Sequence, residues 1–156
     1  MIVHLQAEEP TVNRGLTFRD HALAHELLDG KIGIEFGAAS HNPFHLVGSV
    51  NVAPEEGDAF YKGEQIRMNG QYAKVDFYGE ADNVISMFGI NSQDYVISSH
   101  VLEHLPNPFK AFIEWHGVLR DGGYVFMIVP QRNALEADAG RELTTYAELA
   151  EVHDKG

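Results

Sequence analysis

Residues 94–112 read DYVISSHVLEHLPNPFKAF and carry three signals in order. Tyr95, Val96 and Ile97 form a short apolar run of strand type, closed by Ser98 and Ser99. A polar loop follows, with His100, Glu103 and His104 at H-x-x-E-H spacing. Pro106 punctuates that loop. Pro108 suits the first turn of a helix, where its missing N–H costs nothing. Strand, loop and helix in this order form the repeating unit of α/β proteins, and in open parallel sheets ligands sit at the carboxyl ends of the strands.

The same alternation extends in both directions. Upstream, LTFRDHALAHELLDG spaces Leu16, Leu23, Leu27 and Leu28 near helical periodicity, and Gly30 suits a C-cap. Expected strands follow at 31–36 and 46–52, the second closed by Pro54, and a third ends at Tyr78. DNVISMFGI is expected to form about one helical turn. Downstream, Phe109, Phe112, Ile113, Trp115 and Leu119 make an apolar helix face with Gly122-Gly123 as its end, and core packing is the expected role of Phe109, Phe112 and Trp115. YVFMIVP is continuously apolar, as suits a strand buried on both faces of a parallel sheet. A last helix is expected from about Thr144 or Thr145. The expected strands are thus 31–36, 46–52, 73–78, 94–98 and 123–129. Together they predict one α/β domain over residues 1–156, with an N-terminal helical segment (1–30) and a doubly wound, mostly parallel sheet in the core (31–156).

Composition narrows the function. The chain has 156 residues, 44% of them hydrophobic, which is enough for one domain with a real core. It has no cysteine, so disulfides, thiolate metal sites and cysteine nucleophiles are excluded. A net charge of −12 argues against a nucleic-acid backbone or an anionic membrane as the main partner, since both want a basic surface. No apolar run approaches the ~20 residues of a membrane helix, and MIVHLQAEEP lacks the pattern of a signal peptide. A cytoplasmic protein is the expectation, and the charge leaves a small-molecule substrate open.

Three strand ends carry candidate chemistry. EFGAASHNPF (35–44) is rich in small residues: Gly37 can take a positive φ, and Glu35 can accept hydrogen bonds. It is also compatible with an ordinary turn. Asp82-Asn83 offers a carboxylate and an amide, although both residues favour turns. H-x-x-E-H (100–104) has the spacing of an inverted zincin motif. Zinc would need both histidines on one helical face plus a third ligand, yet Pro106 leaves room for about one turn. Histidines that merely cap a strand-to-helix loop are the other reading.

Taken in order, these stretches resemble the class I S-adenosylmethionine-dependent methyltransferases, of the type 11 kind. IGIEFGAASHNPF resembles the strand and turn that hold the cofactor, in the variant form E-x-G-x-x-x-H-N-P-F. DYVISSHVLEHLPNPFKAF resembles the fourth strand with its "VLEHL" loop, and GVLRDGGYVFMIVP the "vLkpGG" turn and fifth strand. The resemblance spans about residues 30–150. It implies a Rossmann-like methyltransferase fold, strand order 3-2-1-4-5, and S-adenosyl-L-methionine as cofactor. It places Glu35, Gly37 and Ala39 at the cofactor's amino-acid end, Asp82 and Asn83 at adenine, and Ser98, Ser99 and His100 beneath the cofactor. Glu103 and His104 would face the substrate or brace the loop. His100 or His104 would serve as general base for a hydroxyl acceptor, such as that of a sugar or other small metabolite.

Two departures stand out. The acid that usually ends the second strand and bonds the ribose is replaced in VNVAPEE, where Asn51 is the candidate. The family's strands 6 and 7 have no counterpart in the sequence, so the chain resembles a member truncated after the fifth strand. A cofactor-binding or interaction module without catalysis is therefore the alternative function, and a metal-dependent hydrolase working through H-x-x-E-H is a further one. The open edge of the fifth strand predicts a cover, either a second copy in a homodimer or the C-terminal helix.

Overall fold

The computed structural model describes residues 2–6, 20–38, 44–54, 63, 75–132, 136 and 140–156. Among the described residues six strands form one sheet: β1 (Ile2–Gln6), β2 (Gly33–Phe36), β3 (Ser49–Ala53), β4 (Phe77–Tyr78), β5 (Gln93–Ser99) and β6 (Leu119–Pro130). The order is β4-β3-β2-β5-β6-β1, and every pairing is parallel. The five strands expected from the sequence therefore stand in the expected 3-2-1-4-5 order.

The helices cover both faces. On one side, α1 (His21–Leu28) buries Ala24 and Leu28 against Phe44, Leu46, Tyr95, Ile97, Phe126 and Ile128. On the other, α2 (Val84–Phe88) and α3 (Pro108–Val118) enclose Ile34, Phe36, Val52, Val96, Trp115 and Met127. The period-2 alternation of the strands explains the split: Tyr95 and Ile97 face α1, while Val96 faces α3. Asn107 caps α3 by accepting the Lys110 N–H at 3.0 Å, and Pro108 occupies the first turn. The last helix, α4 (Tyr146–Lys155), starts with a capping box between Thr145 and Glu148. It packs on α3 through Phe109, whose ring centroid lies 5.5 Å from that of Tyr146.

At the amino ends of the strands, Asp94 acts as a pin. Its carboxylate accepts the Ile32 N–H at 3.0 Å and the Arg120 guanidinium at 2.7 Å. Those two bonds, the backbone one first, hold its pKa below the usual carboxylate value.

Two expectations need correction. The helix before β6 ends at Val118, ahead of Gly122-Gly123. Those glycines instead form a bulge in β6, where the register slips between Gln93↔Leu119 and Tyr95↔Tyr124. Gly122 takes φ +79°, and a Cβ on Gly123 would lie 3.0 Å from the Asp94 carbonyl. The larger correction concerns the fifth-strand edge. Residues 2–6, read as part of a helical N-terminal segment, form a strand that pairs with β6 from Ile2↔Phe126 to Gln6↔Pro130. The edge is closed by this chain's own β1. The expected homodimer through that edge loses its physical basis, and α4 lies on α3 rather than on β6.

Removing residues 1–6 should uncover the β6 edge and make the shortened chain associate as its concentration rises, as read by light scattering. A shortened chain that stays monomeric at high concentration would contradict the assignment of β1 as the edge cover.

Candidate functional site

A cavity of about 400 Å³ opens at the carboxyl ends of β2, β3, β4 and β5. Its walls come from four segments: Phe36 and Gly37, Val52 and Pro54, Gly79 to Ala81, and the loop that contributes His100, Val101, His104, Leu105 and Pro106. This is where an open parallel sheet places its ligand.

The floor is built by close approach of two segments of the chain, at the ends of β2 and β5. Gly37 takes φ +87°, and a Cβ there would lie 2.5 Å from the Ser99 carbonyl and 3.0 Å from a Val101 methyl. Only glycine meets both conditions. Opposite it, His100 sits in the left-handed region at φ +53° and donates its backbone N–H to the Ile128 carbonyl at 3.0 Å. A non-glycine residue held in that conformation stores strain, a feature that clusters at functional sites.

The H-x-x-E-H stretch is not a helical face. His100 precedes a single 3-10 turn, Leu102–His104, so its two histidines do not stand at i and i+4 of one helix. Glu103 lies between them instead, with one carboxylate oxygen 3.5 Å from His100 Nδ1 and 4.0 Å from His104 Nε2. Among the described residues no group of three or more His, Asp or Glu side chains is arranged to hold a metal ion.

Other expected residues fall in different places. Glu35 is 1% exposed but lies on the α1 face of β2, away from the cavity lining. It hydrogen-bonds Ser49, whose hydroxyl is 2.9 Å from the Tyr95 hydroxyl. Burial pushes its carboxyl up to about 7, and the Ser49 bond pulls back only in part. Oε1 of Glu35 and Oγ of Ser98 make no hydrogen bond among the described residues. Ser98 and Ser99 are buried behind the cavity floor. Asn51 is buried on β3, its backbone tied to Asp76 in both directions, and it does not line the cavity; Val52 and Pro54 do. Asp82 pairs with Lys110 at 3.2 Å, and Asn83 is exposed at the start of α2. The turn that reaches the cavity lies two residues earlier, at Glu80 and Ala81. Ala39 lies outside the described residues.

Glu80 is the residue that sequence reasoning missed. Its signal was present, since it is the first carboxylate after the strand ending at Tyr78. Among the described lining residues Glu80 is the one carboxylate, and none is Lys or Arg.

Comparison with known proteins adds two findings. The family described as "Methyltransferase domain" matches residues 62–127. A solved structure from Thermotoga maritima, described as a SAM-dependent methyltransferase and possible histamine N-methyltransferase, superposes with a TM-score of 0.53. It shares 19% sequence identity over 90% of this chain and 70% of that one. No curated protein matches the chain.

Two substitutions test the site. Gly37→Ala should destabilise the chain by roughly 1–3 kcal/mol and collapse ligand binding, as measured by thermal melts and calorimetry. Glu35→Gln should remove a pH dependence. The folded-state pKa of Glu35 lies above its unfolded value, so stability falls as pH rises from about 4.5 to about 7 and then levels off. The effect is up to about 3 kcal/mol. The glutamine variant should therefore gain stability over the parent at pH 8 and lose that advantage near pH 4.5. Parallel melting curves across that range would show the idea wrong.

Proposed function

We propose that this chain, with a methyltransferase-domain match and a methyltransferase fold, is an S-adenosyl-L-methionine-dependent methyltransferase acting on a small-molecule acceptor. The observation that carries the reading is the chemistry of the cavity lining. It is apolar through Phe36, Val52, Pro54, Leu105 and Pro106, and among the described residues it has one carboxylate and no Lys or Arg. A dinucleotide or other phosphorylated cofactor would want cations or a helix N-terminus at its phosphates. A nucleoside that carries a sulfonium and an ammonium wants the opposite, and this lining fits it.

The cofactor, when bound, supplies a methyl group on a good leaving group, so positioning accounts for much of the catalysis. The chain's residues divide the work. Gly37 lets the backbone of β2 come close to the ligand. Glu80 offers a carboxylate to its polar groups, in place of the expected Asp82-Asn83 pair. His100 and His104 face the cavity, and Glu103 beside both can orient the imidazoles and stabilise a protonated one. That arrangement suits removal of a proton from an acceptor hydroxyl or ammonium, with His100 as the base because it stands on the strained, well-anchored strand end. The acidic surface, at net −12, suits a neutral or cationic acceptor better than an anionic one.

Calorimetry with S-adenosylmethionine and S-adenosylhomocysteine tests the cofactor directly. Binding of both is the expected result, weakened about tenfold or more in Glu80→Ala. Failure of both ligands to bind would refute the reading. Catalysis is tested separately. His100→Gln should cut methyl transfer about a hundredfold or more while leaving cofactor affinity nearly intact. Cofactor binding without transfer to any amine, alcohol or sugar acceptor would favour the alternative, a cofactor-binding module without catalysis.

A further inference from the structure

Trp115 is the only tryptophan in the chain, and it is fully buried. Its ring stacks on Phe36 with centroids 6.0 Å apart and planes 21° apart. Its indole N–H donates to the Ala81 carbonyl at 2.7 Å. A buried indole N–H usually finds an acceptor; the informative fact is which one it has. Phe36 belongs to the cavity wall at the end of β2, and Ala81 to the wall after β4. One side chain therefore touches both walls from behind.

The same helix holds the segment that follows the second wall at two more points. Glu114 accepts the Ile85 N–H at 2.8 Å, in the first turn of α2. Lys110 donates to the Asp82 carboxylate at 3.2 Å. Residues 81–85 are thus fixed to α3 by three contacts. Only the Trp115 contact also reaches Phe36.

We propose that Trp115 is a positioning residue that sets the width of the slot between Phe36–Gly37 and Gly79–Ala81, and so fixes the planar ring end of the bound ligand. The proposal rests on the reading of this cavity as a nucleoside cofactor site. The N–H bond turns the Ala81 carbonyl away from the cavity and holds its peptide plane. The stacked indole keeps Phe36 from tilting back into the core. A ring slotted between the walls would then meet a gap of fixed size, ordered before binding.

The lone indole makes the test direct. Titrating the full chain with S-adenosylhomocysteine should change Trp115 emission along the same curve that calorimetry gives. Trp115→Phe keeps an aromatic ring and deletes the N–H. It should weaken both S-adenosylhomocysteine and free adenosine by about tenfold and speed amide exchange at 80–84. If that variant fails to fold, benzothienylalanine at position 115 keeps the indole shape without the donor and should give the same loss. Wild-type binding with unchanged emission, together with full affinity in the folded variant, would overturn the positioning role and leave the cofactor reading intact. No wild-type binding at all would overturn both.

Discussion

The fold hangs on the parallel seam between β2 and β5, from Gly33↔Tyr95 to Phe36↔Ser98. Space decides this seam. A Cβ on Gly33 would lie 2.3 Å from the Tyr95 ring, so the ring rests on bare backbone. Four residues on, Gly37 leaves the same kind of gap for the Ser99 carbonyl. One glycine at the start of β2 and one just past its end thus let the neighbouring strand come close at both ends. The seam then carries everything above it: the floor of the cavity, the strained turn at His100 and the loop through Pro106. Substituting either glycine would push the central pair of strands apart, rather than trimming a surface.

Charge is distributed unevenly about that seam. At the amino ends of the strands Asp94 is fully engaged, with a backbone amide on one oxygen and a guanidinium on the other. Near the carboxyl ends Glu35 is enclosed by Ser49 and by the Tyr95 layer, and burial raises its carboxyl to about 7. One acid therefore strengthens the sheet when ionised, and the other weakens it. The stability of such a domain with pH is a contest between these two ends.

Most of the sheet was legible because its determinants are local. Apolar runs such as YVFMIVP, the Pro108 helix start and the start of the last helix near Thr145 each act within a few residues, and each appears where the sequence placed it. Three features were not legible, for three reasons. β1 is short and mixed in character, and its identity as a strand comes from a partner far along the chain. The Gly122-Gly123 bulge and a helix C-cap use the same residues, so glycine alone cannot tell them apart. The cavity turn was placed at Asp82-Asn83 because those residues have chemistry of their own, whereas Asp82 is taken by Lys110 and the wall is formed by Glu80 and Ala81. The comparisons support the resemblance read from the "VLEHL" and Gly-Gly stretches, both of which fall within or beside residues 62–127.

The placement of β1 has a kinetic meaning. Ile2 pairs with Phe126, about 120 residues away, so this ladder carries one of the longest loop closures the chain can offer, and loop closure must precede the reward of pairing. During synthesis β1 emerges long before its partner strand. Until β6 exists, the first residues have no place in the sheet, and once β6 forms it presents a raw edge until β1 arrives. The order of events is therefore fixed by the topology. The central strands can assemble early, while β1, made long before β6, can join the sheet only after it, and the interval between the two is when the growing chain is most exposed to wrong strand partners.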